Sequence, residues 1–351
     1  MMTISNLIVE PLLIWYESEK RDLPWRKDRN PYHVWVSEIM LQQTRVEAVK
    51  SYYTRFLTHL PDVRALADAP EELLLKLWEG LGYYNRVRNM QCAARQIVQE
   101  YGGNFPQTEA ELLRLKGIGT YTAGAIGSIC FELPTPAVDG NVLRVISRLC
   151  ASEANIDLPK TKAEMTRALA EIYPHNACGT FTQALMELGA TVCVPNGEPH
   201  CDSCPIGQFC RANAENKVQK LPVRTDKKQR KAENMTVFLL YCKGMIAIQK
   251  RPKNGLLAGL WEFPHVNGKI TVQEALTVAQ MWDTEPQMPL SAIERTHIFT
   301  HKEWHMRGMS FLCGKQSEKF VWATKKELSQ KYALPSAFSM FLEENFEFPG
   351  K

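Results

Sequence analysis

The sequence predicts two folds in one chain: a mainly α-helical first part that ends on a four-cysteine loop, followed by an α+β domain. Three observations lead there. Apolar residues recur at three- and four-residue steps through the first two thirds, four cysteines crowd into 193–210, and beyond a basic stretch the pattern turns to short strands. The expected boundaries are 1–216 for the helical part with its cysteine loop, 217–234 for a basic surface linker, and 235–351 for the last domain.

Helical spacing is clearest in 7–17, 33–49, 70–78 and 162–172, with Pro-, Gly- and Asp-rich connectors between. Tyr32 to Thr44 reads as one helix on which Val34, Glu38 and Leu41 share a face. A Glu inside an apolar stripe has two readings. Burial would hold it protonated near neutral pH, as a general acid requires. Alternatively it is structural and paired with an arginine, for which Arg45 and Arg86 are candidates.

Thr108-Glu109-Ala110-Glu111 has the T-x-x-E form of a capping box. The helix it opens leads to Lys116-Gly117-Ile118-Gly119-Thr120-Tyr121, where a second helix begins. Gly117 and Gly119 allow a tight turn and a close approach to another surface. The N–H groups that open the second helix can then face an anion, as in a phosphate-gripping helix–hairpin–helix. Val138-Asp139-Gly140-Asn141 follows about 20 residues on; taken alone, an Asp before Gly is most often a turn former or helix N-cap.

Cys193, Cys201, Cys204 and Cys210 are spaced C-x7-C-x2-C-x5-C. Zinc sites favour two tight pairs separated by a longer loop. One tight pair with an outlying cysteine on each side suits a 4Fe–4S cluster better. The other six of the ten cysteines are isolated and read as buried thiols.

From Lys217 to Asn234 the chain is basic and nearly free of large apolar residues. Strands are expected at 236–242 and 245–248 around a Lys243-Gly244 turn, and near 308–313 and 319–323, with helices at 271–282 and 335–346. The composition is that of an ordinary globular protein, 45% hydrophobic and 23% charged. A net charge of +4 permits a nucleic-acid partner without requiring one. No stretch has the apolar length of a membrane span, and the N-terminus lacks a secretory pattern, so a cytoplasmic, reducing location is the expectation.

A hairpin, an Asp about 20 residues later and a four-cysteine loop together resemble the helix–hairpin–helix base-excision glycosylase superfamily, and within it the adenine DNA glycosylase (MutY) branch. The resemblance is carried by Leu23-Pro24-Trp25-Arg26, by Trp35 to Thr44, by Trp78-Glu79-Gly80-Leu81-Gly82-Tyr83-Tyr84, and by the hairpin, the Asp139 segment and Glu187-Leu188-Gly189-Ala190. Gly255 to Pro264 resembles that family's Nudix-like C-terminal domain.

The resemblance implies removal of adenine mispaired with 8-oxoguanine or guanine in double-stranded DNA, by a monomer, after the base is flipped out. Glu38 would protonate adenine and Asp139 would stabilise the oxocarbenium-like sugar, the division of labour in glycoside hydrolysis. Tyr121 and Asn141 would position these groups. Arg26 and Glu187 are assigned to the adenine pocket, Trp25, Gly117, Gly119 and Arg86 to substrate or DNA binding, and Gln43, Thr44, Leu81 and Tyr83 to the opposing base. In the last domain the loop Phe299-Thr300-His301 would read the oxidised base; Thr300 stands where the family often has Ser. Bifunctional relatives carry Lys at the position of Tyr121, so the implied product is an abasic site. Residues 270–285 hold only Glu274, Asp283 and Glu285, short of the glutamate cluster that a working Nudix hydrolase needs. The rivals are a glycosylase–lyase similar to endonuclease III, a zinc-bearing DNA-binding protein and a nucleotide-pool hydrolase.

Overall fold

The computed structural model describes residues 2–226 and 229–342. They form two compact units. The first takes the residues up to Asp68 and Asn85–Asp226; the second takes Ala69–Tyr84 and the described residues from 229 on. The helices up to that stretch are α1 (Val9–Glu19), α2 (Pro31–Leu41), α3 (Val46–His59), α4 (Val63–Asp68), α5 (Glu71–Leu77), α6 (Asn85–Tyr101), α7 (Glu109–Leu112), α8 (Thr120–Phe131), α9 (Gly140–Leu149), α10 (Pro159–Ala170), α11 (Cys178–Thr191) and α12 (Arg211–Ala214). Of these only α5 lies in the second unit.

One core of the first unit joins α1, α9, α10 and α11 through Leu12, Tyr16, Ile146, Met165, Leu169, Phe181 and Leu185. A smaller core joins α2 to α8 through Val34, Ala125 and Ile129. Helix α8 is packed closely because its sequence is rich in small residues. A Cβ at Gly124 would stand 2.3 Å from the Pro136 carbonyl oxygen, so only glycine lets the segment leading to Asp139 pass there.

Asn30 starts α2 by accepting a hydrogen bond from the Tyr32 N–H at 2.9 Å, with Pro31 in the first helical position. The helix expected from Tyr32 to Thr44 stops at Leu41. Gln43 turns into the left-handed region at φ 62°, and Arg86 Nη1 donates to the carbonyls of Ile39 (2.6 Å) and Gln42 (2.7 Å). A side chain from another helix thus takes up the terminal carbonyls, and no Gly or Pro marks the break in the sequence.

The second unit is built on a seven-stranded mixed sheet with β1 (Lys231–Cys242), β2 (Met245–Lys250), β3 (Trp261–Glu262), β4 (His265–Asn267), β5 (Pro286–Ile298), β6 (Lys302–Cys313) and β7 (Val321–Ala323). The order is β3-β2-β1-β6-β5, with β4 on β1 and β7 on β2. β1 and β6 run parallel from Lys231 opposite Lys302 to Tyr241 opposite Leu312. Helix α13 (Val272–Met281) places Ala275 and Ala279 against Phe238, Leu240, Met309 and Phe311 on one face. The other face packs Val237, Leu239 and Met306 with Leu328 of α14 (Lys325–Gln330) and Phe338 of α15 (Ser336–Ser339).

The chain thus adopts the expected combination of a mainly helical part and an α+β part. The details differ. β1 begins at Lys231, inside the stretch expected to be linker, because its polar start is held by the distant β6 rather than by apolar alternation. β5 was not anticipated: it opens on Pro286 and exposes alternate residues, as an edge strand can. The helix expected over 335–346 is the short α15, and 343–346 lie outside the described residues. No helix among the described residues is long and apolar enough to cross a membrane.

Candidate active site

A cavity of about 550 Å³ opens in the first unit between α2, α8, α9 and α11, within the size range of small-molecule sites. Glu38, Tyr121, Asp139, Asn141, Trp25, Arg26, Gln43, Thr44 and Glu187 all line it. Residues separated by up to about half the chain are therefore brought to one space.

Glu38 is only 6% exposed. Burial pushes its pKa up to about 7; a hydrogen bond from Tyr121 Oη opposes this, the charge of Asp139 adds to it, and Arg26 opposes it more weakly. Of the two sequence readings, the arginine pair gives way to a tyrosine partner. Burial and the nearby carboxylates hold the Tyr121 phenol well above its usual range, so it stays a donor.

Asp139 is the N-cap of α9 and half-buried. Its Oδ1 accepts from the Val142 N–H at 2.8 Å and its Oδ2 from Asn141 Nδ2 at 2.8 Å. Burial raises its pKa despite these hydrogen bonds. Asp139 is therefore the helix cap that its sequence context suggests, and the cap fixes its carboxylate at the cavity wall. Asn141 is itself held, its Oδ1 accepting from Arg144 Nη2 at 2.9 Å. Arg144 also donates to the carbonyls of Gly189 (2.7 Å) and Cys193 (2.8 Å).

Trp25 is buried edge-on to Tyr53, with ring centres 5.5 Å apart. Arg26 donates to Glu187 Oε2 at 2.7 Å and lies over the Tyr16 ring at 5.4 Å. Arg21 adds two more side-chain bonds to the same carboxylate, at 2.7 and 2.9 Å. Glu187 is fully buried. Burial works against its charge, but the two arginines prevail and bring its pKa down to about 2. Arg21 and Gln183, whose Oε1 accepts from Tyr16 Oη at 3.1 Å, also line the cavity. Sequence reasoning missed both; an Arg beside the Trp25 motif and a Gln four residues before Glu187 look like solvated helix faces.

The hairpin lies at the surface. Gly117 has φ 78°, and a Cβ there would stand 2.7 Å from Asn89 Cβ. Gly119 is the N-cap of α8 and provides no side-chain cap. Arg86 is engaged with the end of α2 as described. In the second unit Leu81 is buried, Tyr83 is half exposed with φ 47°, and its Oη is hydrogen-bonded to Thr300 Oγ1. Phe299 packs edge-on to Trp304 at 4.8 Å, while Thr300 and His301 are exposed in the turn between β5 and β6. Glu274 is taken up by a capping box with Thr271 at the start of α13.

Cys193, Cys201, Cys204 and Cys210 line one small cavity, and none is in a disulfide. Arg148 Nη1 donates to Cys193 Sγ at 3.3 Å. Among the described residues no three His, Cys, Asp or Glu side chains come close enough to hold a single metal ion. Four thiols lining one cavity match the donor set of a 4Fe–4S cluster.

Residues 36–175 match the family model described as the HhH-GPD superfamily base excision DNA repair protein, and 236–344 match that of the NUDIX domain. The adenine DNA glycosylase of Rattus norvegicus is 38% identical over 348 residues, covering 83% of this chain and 67% of that protein. That of Buchnera aphidicola subsp. Baizongia pistaciae is 34% identical, covering 85% and 82%. Among solved structures, a thermostable thymine-DNA glycosylase superposes with a TM-score of 0.54 at 27% identity, covering 60% of this chain and 96% of that one. A non-covalent endonuclease III–DNA complex gives a TM-score of 0.51 at 23% identity, covering 61% and 99%, a likeness of fold.

Proposed function

The chain belongs to the adenine DNA glycosylases, and from that premise we propose that it excises adenine opposite 8-oxoguanine or guanine and leaves an abasic site. The observation that carries this reading is a carboxyl group with a pKa of about 7 facing the same cavity as a second, capped carboxylate.

The adenine is everted into the cavity, since its glycosidic bond is inaccessible inside the stack. Protonated Glu38 gives its proton to N7 of the base, and the electron pair of the C1′–N9 bond leaves with the adenine. The sugar becomes cationic, and Asp139 stands ready to stabilise it or trap it covalently until water adds at C1′. The Val142 N–H and the Asn141 amide keep that carboxylate aimed. Tyr121 then donates to the Glu38 carboxylate that remains. Tyr121 cannot form a Schiff base with the opened sugar, which supports a reaction without strand cleavage. Trp25, Arg26 and Glu187 shape the adenine pocket.

On the first unit, Gln43 and Thr44 are offered to the base opposite, Arg86 stands behind them, and Gly117 and Gly119 present the hairpin to a DNA phosphate. On the second, Leu81, Tyr83, Phe299, Thr300 and His301 are offered to 8-oxoguanine. Cys193, Cys201, Cys204 and Cys210 would hold a 4Fe–4S cluster, which when bound would cross-link the loop and add a one-electron redox centre. A monomer acting on double-stranded DNA in the cytoplasm completes the reading.

The test is a duplex with a single 8-oxoguanine:adenine pair, incubated with the protein and analysed with and without hot alkali. Breaks at the adenine only after alkali are expected, and Glu38→Gln should remove them. Breaks without alkali would overturn the monofunctional reading; no breaks in either sample would overturn the substrate.

A further inference from the structure

The segment after the cysteine loop is tied along the first unit. Arg148 Nε donates to the carbonyls of Val218 (3.1 Å) and Leu221 (3.0 Å), and the Ile156 N–H donates to the Val223 carbonyl at 3.0 Å. Asn155 Nδ2 donates to Thr225 Oγ1, and the Thr225 N–H to Asp157 Oδ2, both at 3.0 Å. These ties hold both neighbours of Arg224 and carry its guanidinium to within 3.8 Å of where a Cβ on Gly140 would stand. Gly140 is a cavity-lining residue next to Asp139. Arg224 is also close enough to Arg144 for their charges to repel. Its ion pair, with Asp157 at 3.9 Å, is long, and the side chain is 54% exposed. Lys162 of α10 lines the same cavity, is exposed, and makes no ion pair among the described residues. Arg224 thus stands beside Gly140 at the wall that holds Asp139, Lys162 is a second cation lining the same cavity from another element, and neither is neutralised by a close carboxylate.

We infer that Arg224 and Lys162 form a clamp for a DNA backbone phosphate flanking the everted adenosine. This rests on the reading that adenine enters the Glu38–Asp139 cavity. With the base between those carboxyl groups, its sugar lies against Asp139 and a flanking phosphate comes to the cavity edge, where two lightly paired cations match its charge.

The test uses the full-length protein and an 8-oxoguanine duplex whose adenosine is 2′-fluorinated to resist hydrolysis. Kd is measured by fluorescence anisotropy across a salt series for the wild type, Arg224→Gln, Lys162→Gln and the double variant. Each single variant should weaken binding roughly 3- to 10-fold and reduce the slope of log K against log salt by about 1. A neutral methylphosphonate on one side of the adenosine should weaken wild-type binding by a similar factor and the double variant no further. Unchanged slopes, or equal methylphosphonate losses in wild type and double variant at both sides, would overturn the clamp. Both side chains are exposed, so unchanged Tm values are expected and a large drop would assign them a structural role instead. Failure of the underlying cavity reading would show separately, as adenine release that survives Glu38→Gln.

Discussion

Glu38 and Glu187 line the same cavity from α2 and α11, and both are almost closed off from solvent, yet they lie at opposite ends of the carboxyl range. Glu38 has an apolar helix face around it and one phenol as partner, and its pKa rises to about 7. Glu187 has two arginines, and burial that would raise its pKa is outweighed so that it falls to about 2. One group is arranged to release a proton near neutral pH and the other to remain an anion. The residue type is the same; the number of cationic partners decides the role.

The sharpest way to break this comparison is to remove the proton that Glu38 carries. Glu38→Gln should lower single-turnover excision by about 10²- to 10⁴-fold, the usual contribution of a general acid. In the wild type the rate should fall as pH rises through about 7, where Glu38 loses its proton. The same group carries a stability signature. A pKa raised on folding favours the native state below the unfolded value, and that advantage is lost as pH rises through the folded value. Glu38→Gln should therefore stabilise the fold at pH 8 by on the order of 3 kcal/mol at most, read as a higher Tm, and the gain should vanish below about pH 5. Thermal melts of both proteins across that range check it.

Glu187→Gln tests the other side. Leaving two arginines without their buried carboxylate should destabilise the fold by about 3–5 kcal/mol, read as a lower urea midpoint. Because the pKa of Glu187 is depressed, its contribution is present above the ordinary carboxyl range and lost as pH falls toward about 2. The gap between the two proteins should accordingly narrow in acid; a gap independent of pH would argue against the ion pairs as its source.

A smaller change sharpens the comparison. Tyr121→Phe removes the one bond that favours the Glu38 anion, so the alkaline limb of the rate profile should move to higher pH, with a rate loss of about tenfold or less. An unmoved limb would mean that the phenol does not set the acidity of Glu38. Smallest of all, Thr300→Ala deletes the hydroxyl that meets Tyr83. A two- to tenfold weakening of binding to 8-oxoguanine:adenine duplexes is expected, with less effect when plain guanine stands opposite. Equal losses on both duplexes would remove Thr300 from base discrimination.

Much of the site was legible because its chemistry contradicts its surroundings. Glu38 interrupts an apolar face, and four cysteines crowd a loop; neither pattern is tolerated without a purpose. What could not be read depends on partners distant in the chain. The end of α2 at Leu41 is set by Arg86, and the strand start at Lys231 by β6. Arg21 and Gln183 resemble ordinary surface residues until α1, α2 and α11 close around them. The identity of Glu38's partner was also out of reach: arginines were the obvious candidates, and a tyrosine from the hairpin's second helix took the place.

The second unit takes its α5 segment from the middle of the first unit's sequence. Lys76 Nζ donates to the carbonyls of Leu328 (2.7 Å) and Tyr332 (3.3 Å), and Glu79 Oε1 accepts from the Leu334 N–H at 2.6 Å. A stop codon after residue 226 would therefore not be a clean excision. It would delete most of a domain and strand the helix that this domain borrows, with a lysine and a glutamate stripped of their backbone partners. Truncation is for this chain a lesion in two places, and experiments that separate the units should carry residues 69–84 on the side where they fold.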